Sequence, residues 1–411
     1  MIAVKRFFLY IRPPQKPTAG SVFRPRNLGL QPRWASFSIA IFLIMTLSAY
    51  GKDKDAPAKG VWVTCFSAKK VLYSKRSAFE LIKFCKKSKI NEIYLQLYRS
   101  GKSYYDTSIN GRASYDDILK AAGVDTIDVI LKEAKRCNIK VFAWVNVLSV
   151  GKTRSVNIVA KLGESILTKD QHLRSPMRTE DVNESDKYYL RDEQLFLEPG
   201  DLKVGEYMVL IIDEIIARYP DLSGAHLDYV RYPYPVPFLP RSSFNKYGLT
   251  YGYGEENIKR FKEKKGLDPL SMEDNNENSL IWDDWKRDQV TNLVERLAKH
   301  IKDKSPQMLI SCAVIPSCDT AFSAAFQDWP GWLEKGIVDY VVLMNYTKNN
   351  QLAKEITRSA LAQRGKGKVY IGIGSFLMKN DSQILSEQKK IIKSLNPDGI
   401  AYFSYDFITE K

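Results

Sequence analysis

Histidine is nearly missing from this chain: His172, His226 and His300 are the three among 411 residues, and no two stand at metal-ligand spacing. That argues against a multi-histidine metal centre, and so against metal-dependent hydrolysis or deacetylation. Cysteine is scarce as well. The five present (Cys65, Cys85, Cys137, Cys312, Cys318) are an odd number, widely spread and without a CxxC pair, which disfavours a disulfide framework and a zinc ribbon alike. No GxGxxG or GxxxxGK[ST] follows any apolar run, so a nucleotide-binding doubly wound fold lacks its phosphate-cradling turn. Neither metal nor organic cofactor is expected. Acidic residues are absent from the first 33 positions, which carry seven Lys or Arg, and residues 34–51 are uncharged. Residues 52–411 therefore keep +8 of the net +15, a surplus compatible with an anionic polymer but too weak to indicate nucleic acid. What is plentiful is core material: 44% of residues are hydrophobic and 12% aromatic, enough to bury a large interior.

The basic leader runs into Trp34 to Tyr50, WASFSIAIFLIMTLSAY, which is 17 residues without a charge. Charged GKDKDAPAK follows. An apolar run with positives before it reads as a signal peptide or signal anchor, and it falls short of the ~20 residues of a comfortable membrane span. The chain is expected to be exported to the periplasm, envelope or exterior, touching a membrane only through this segment if it stays uncleaved. Residues 1–51 form the leader and 52–411 a single domain.

From Lys59 onward apolar β-type runs alternate with amphipathic helical stretches. Strands are expected at 60–66, 91–98, 139–147, 224–230, 308–315, 338–346, 368–376 and 399–405. Helices are expected at 77–88, 126–137, 203–219 and 284–304, with weaker patterns at 329–336, 352–364 and 382–395. Strands this continuously apolar, each separated by a helix, are buried on both faces and imply a parallel sheet. Eight such units fit an α/β fold of the (β/α)8 TIM-barrel type. The long segments 148–203 and 231–283 both follow strand ends, on the face where barrels carry their sites.

Residues two apart on a strand share a face. That groups His226 with Asp228, Tyr94 with Gln96 and Tyr98, Phe142 with Trp144 and Asn146, and Tyr402 with Ser404 and Asp406. Arg99, Arg231, Tyr232, Asn345 and Tyr346 stand at or just past strand ends. Gathered around one mouth, carboxylates, amides, arginine and aromatics make the chemistry of carbohydrate recognition, with rings stacking on sugars and amides bonding hydroxyls. Asp228 is the first candidate for acid/base catalysis, tuned by burial and by Arg231. Its alternative is a structural ion pair with Arg231. His226 reads as a satisfied interior residue or a substrate contact, Trp144 and Tyr94 as barrel filling or as contacts. Trp329 and Trp332 fit a core as well as a ligand platform.

The stretch SGAHLDYVRYP (223–233) resembles the signature of the bacterial glycoside-hydrolase-like family 10. The likeness extends through GVWVTCF (60–66), QLYRSGKSYYDTSI (96–109), FAWVNV (142–147) and LEPGDLKVGEYM (197–208). It continues in YGYGEENIKRFKEKKGLDPL (251–270), WKRDQVTNLV (285–294), FQDWPGWLEKGIVDYVVLMNYT (326–347) and GIAYFSYD (399–406). Membership implies a (β/α)8 barrel, secretion or envelope location and hydrolysis of glycosidic bonds, with bacterial cell-wall glycan a substrate proposed for some members. Asp228 resembles the family's acid on the fourth strand; Gln96, Arg99, Asn146, Arg231, Asp328, Asn345 and Tyr346 resemble its site-lining positions. LEPG departs from the pattern, with Glu198 where an amide is expected, so Glu198 reads as an additional acid or a neutral change.

Glycoside hydrolysis usually needs two carboxylates, about 5–5.5 Å apart for retention or roughly 6.5–9.5 Å for inversion. The seventh strand, KVYIGIGSF, has none. Partners for Asp228 are sought in Asp328 and Asp406, ranked equal, then Asp319 and Glu198; Asp328 alternatively caps the helix at Trp329-Pro330. The expectation is a glycosidase acting on a polysaccharide, with Asp228, Asp328 and Asp406 as catalytic candidates and Gln96, Arg99, Trp144, Asn146, His226, Arg231, Tyr232, Asn345 and Tyr346 as substrate contacts. The alternative is a catalytically silent barrel that binds envelope glycan.

Overall fold

Eight parallel strands close into a ring. They are β1 (Ala58–Val63), β2 (Glu92–Arg99), β3 (Lys140–Asn146), β4 (Gly224–Asp228), β5 (Leu309–Val314), β6 (Tyr340–Asn345), β7 (Lys368–Gly374) and β8 (Gly399–Phe403). Each pairs with the next, and β8 returns to β1 with Ala58 opposite Gly399, which leaves no edge. The computed structural model describes residues 57–152, 155–174, 194–234 and 249–408; the basic leader and its apolar run lie outside them. Among the described residues no helix is long and apolar enough to cross a membrane.

The strands form because their apolar residues are buried on both faces; in β2 all but the last residue is buried. Outward side chains pack under a ring of helices in one continuous core. The helix Thr126–Arg136 shows how: Ile127, Ile130, Leu131 and Ala134 make a buried stripe, and Asp125 caps its start by accepting from the Ile127 and Asp128 amides. Inward side chains fill the barrel in layers. At the floor, buried Glu92 accepts from the Tyr94 hydroxyl at 2.9 Å and faces Tyr340 and Tyr370. Above it Trp62, Tyr94, Phe142 and His226 fill the middle. Gly60 makes room for this layer, since a Cβ there would stand 2.8 Å from the Tyr94 ring.

The expected strands and helices are all present. Among the described residues four helices were not legible: Ala113–Ala122, Asn157–Leu162, Glu255–Lys265 and Cys318–Ala324. Glu255–Lys265 buries only Asn257, Ile258 and Phe261, too thin a stripe against eight charged residues to give a pattern. The long helix Asn276–Lys304 also begins eight residues before the expected 284. Its polar first turns are held by the Asn275 cap and by Trp282, which packs on Phe261 and Tyr253. The segments after β3 and β4 are therefore partly helical rather than structureless.

Candidate active site at the barrel mouth

Asp228 is the last residue of β4 and points inward at the carboxyl ends of the strands, 7% exposed. Its Oδ2 accepts from the Trp144 indole N–H at 3.0 Å, and its Oδ1 accepts from the Tyr229 backbone at 2.7 Å. Tyr229 has a positive φ of 55°, which turns the chain sharply out of the strand and aims its N–H back at the carboxylate. Burial pushes the Asp228 carboxyl above the usual range, against the opposing pull of these two hydrogen bonds and of Arg231. Tyr346 lies on the same side of the mouth. Burial, and then the Asp228 charge, hold its hydroxyl well above the ordinary range. The Arg231 guanidinium is buried among rings, 4.2 Å over Tyr234 and 5.2 Å over Tyr229, and donates to the Tyr232 carbonyl at 2.8 Å.

Beside Asp228, on the two preceding strands, Gln96 and Asn146 form an amide pair: Gln96 Nε2 donates to Asn146 Oδ1 at 3.2 Å, while Gln96 Oε1 accepts from the Cys65 backbone at 3.3 Å. The β2 strand bulges between Gln96 and Tyr98, with Gln96 opposite Trp144 and Tyr98 opposite Val145. The extra residue inverts the alternation. Tyr98 turns outward towards Tyr105 and Tyr207, so it does not share the face of Tyr94 and Gln96. Arg99 instead reaches the mouth, 4.4 Å above the Phe66 ring.

His226 sits one layer below Asp228 and is fully buried. Its Nε2 accepts from the Trp62 indole at 3.0 Å, and its Nδ1 lies 2.9 Å from Ser311 Oγ. An indole can only donate, so the neutral ring carries its proton on Nδ1. Desolvation drives its pKa down to about 3, and with both nitrogens engaged it is an interior residue rather than a substrate contact.

The family model described as "Glycosyl hydrolase-like 10" matches residues 57–375, most of the chain and the whole ring from β1 to β7. The chain belongs to the glycosyl hydrolase-like 10 family. It is 21% identical over 379 residues to the glycosyl hydrolase YngK of Bacillus subtilis, covering 84% of this chain and 66% of that protein. Against the glycosyl hydrolase DigH of Escherichia coli K12 it is 21% identical over 321 residues, covering 72% and 64%. The chain thus spans slightly less than two thirds of these curated relatives. Among solved structures it is similar in fold to the catalytic domain of a Paenibacillus polymyxa beta-amylase, with TM-score 0.53, 10% identity and coverage of 84% and 92%. A beta-galactosidase from Marinomonas ef1 gives 0.50 at 11% identity, covering 85% of this chain and 54% of that one.

Not every family-like position of this glycosyl hydrolase-like 10 member lines the mouth. Asn345 is corrected: it faces the helix Asn350–Leu361, donating to the Ala353 carbonyl at 3.0 Å and to Thr357 at 3.3 Å, because Tyr340, Val342 and Met344 take the inward positions of β6. Asp328 is a helix cap whose Oδ1 accepts from the Gly331 amide at 3.0 Å. Tyr232 turns its hydroxyl to Glu198 and packs edge-on to Phe326 at 5.6 Å. Trp329 and Trp332 are core, donating to the Ile315 carbonyl and the Thr291 hydroxyl. Glu198 is fully buried and accepts from the Tyr232 hydroxyl, from the Thr168 hydroxyl and from the Gly200 and Gly254 amides, each of these two at 3.2 Å. Four donors leave it no free lone pair for substrate, and Asp319 is exposed on its helix.

On β8 the expected inward face is off by one. Ala401 and Phe403 point in, whereas Tyr402 packs outward beneath Lys59 and Lys389. Both faces of this strand are apolar, so alternation could not separate them. Asp406 nonetheless reaches the rim through the turn Tyr405–Phe407, where its Oδ1 accepts from the Ser67 hydroxyl. Residues missed from sequence include Phe403, 6.2 Å from the Trp144 ring, and buried Gln327, which accepts from the Ile315 amide and donates to the Val230 carbonyl behind Asp228. The cue for Gln327 was its place directly before the Asp328 cap.

Proposed function

We propose that the protein is an exported glycoside hydrolase that cleaves a polysaccharide, bacterial cell-wall glycan being the substrate class, with Asp228 as proton donor. The observation that carries this reading is the setting of Asp228: a buried carboxyl at the mouth of a glycosidase-like barrel, pushed towards its protonated form by burial and held by Trp144. A carboxyl that burial makes readier to hold its proton can deliver it to the glycosidic oxygen as the bond to the anomeric carbon breaks. Water completes the reaction at that carbon, and its proton needs a base. Of the acids considered, Asp328 and Glu198 are committed to backbone amides, so Asp406 at the β8 rim is the candidate base or nucleophile. Tyr346, Arg99 and the Gln96–Asn146 amides are the groups offered to sugar hydroxyls. The leader of residues 1–51 supports export.

A second reading, a glycan-binding barrel without turnover, is favoured by one feature. The other acids considered are already engaged, Asp328 and Glu198 by backbone amides and Asp406 by the Ser67 hydroxyl. Incubation of the protein with purified peptidoglycan, with and without stem peptides, followed by mass analysis of the soluble fraction, separates the two. Released fragments with new reducing ends are expected. Retention on the glycan with no new ends would establish the binder instead.

A further inference from the structure

Aromatic contacts lead continuously from Asp228 to the outside. Trp144, bonded to Asp228, meets Phe403 at 6.2 Å; Phe403 meets Phe376 at 5.9 Å; Phe376 meets Phe407 at 6.3 Å. Exposure rises along this path, from 4% at Trp144 to 38% at Phe407. The loop after β1 carries Phe66, at 59% the most exposed large apolar residue named among those described. The Ser67–Asp406 hydrogen bond ties the loop after β1 to the turn after β8, which brings the neighbours of Phe66 and Phe407 together. One side of the Phe66 ring is covered by the Arg99 guanidinium, which orients it and leaves the rest to solvent. Single exposed apolar residues need no explanation, but a contiguous row that begins at a buried carboxyl and ends in solvent marks a ligand path.

We infer that this β8–β1 side of the mouth is a sugar-binding shelf, with Phe66 and Phe407 as platforms for glycan units beyond the bond that Asp228 addresses. The inference rests on the proposed glycosidase reading and extends it to an elongated glycan. Polar recognition dominates near Asp228, where amides, Arg231 and Tyr346 gather. Flat apolar faces dominate further out, and these suit the C–H surfaces of successive sugar rings.

The test uses the whole chain carrying Asp228→Asn, so that ligands survive, and length-fractionated glycan strands from purified peptidoglycan, with dissociation constants measured by calorimetry. Long fragments should bind more tightly than short ones. Adding Phe66→Ala with Phe407→Ala should weaken the long fragments about tenfold, leave the short ones as they were and keep the unfolding transition in place. Leu at both positions, which keeps apolar bulk but removes the ring face, should show the same selective loss. Equal loss for short and long fragments, or no loss, would overturn the shelf while leaving the glycosidase reading intact if the wild type still cleaves. No binding of any fragment before the ring substitutions, together with no cleavage, would remove both.

Discussion

His226 and Asp228 lie two residues apart on β4, and the same burial pushes them in opposite directions. His226 is neutral in the fold, with a pKa of about 3 against 6.5 for an ordinary histidine. It therefore adds stability that is full above pH 6.5 and is lost as the pH falls towards 3, by up to ~1.4 kcal/mol per unit. Asp228 has the opposite sign, its raised pKa making ionisation costly as the pH climbs past 3.8. Denaturant unfolding of the wild type and of His226→Gln between neutral and acidic pH isolates the histidine. The variant should lose less stability on acidification, and parallel slopes would contradict the assignment. That His226 and Asp228 share a face was legible from alternation alone. That Asn345 turns away was not, because Asn345 and Tyr346 are adjacent and a strand must send one of them outward.

At the scale of elements, two devices shape the mouth. The β2 bulge exchanges Tyr98 for Arg99 at the rim, and a one-residue insertion in the ladder leaves no mark in a run buried on both faces. Glu198 is the other. It ties the segment before the helix Leu202–Arg218 to the Tyr232 and Gly252–Gly254 region after β4, through the Tyr232 hydroxyl and the Gly254 amide. Glu198→Ala would strand several buried donors and should lower stability by about 3 kcal/mol or more in urea unfolding. Glu198→Gln keeps one acceptor and should cost less; equal stability of all three proteins would show that the carboxylate is not the staple. Sequence marked Glu198 as unusual, but its partners Tyr232 and Gly254 lie 34 and 56 positions away and could not be read from it.

For the molecule as a whole, the barrel was the most legible feature. Eight apolar runs separated by amphipathic helices allow little besides a closed parallel sheet, and the ring is complete from β1 back to β1. The site was half legible. Inward residues on β3 and β4 followed from alternation, while the partner of Asp228 depends on loop geometry that no periodicity encodes. The proposed activity turns on one chemical step, proton delivery by Asp228 to a glycosidic oxygen. The most direct measurement is the rate at which new reducing ends appear in purified cell-wall glycan treated with wild type or with folded Asp228→Asn. The wild type should generate them, and the variant should be slower by roughly 10²–10⁴-fold. Undiminished cleavage by the variant would contradict it.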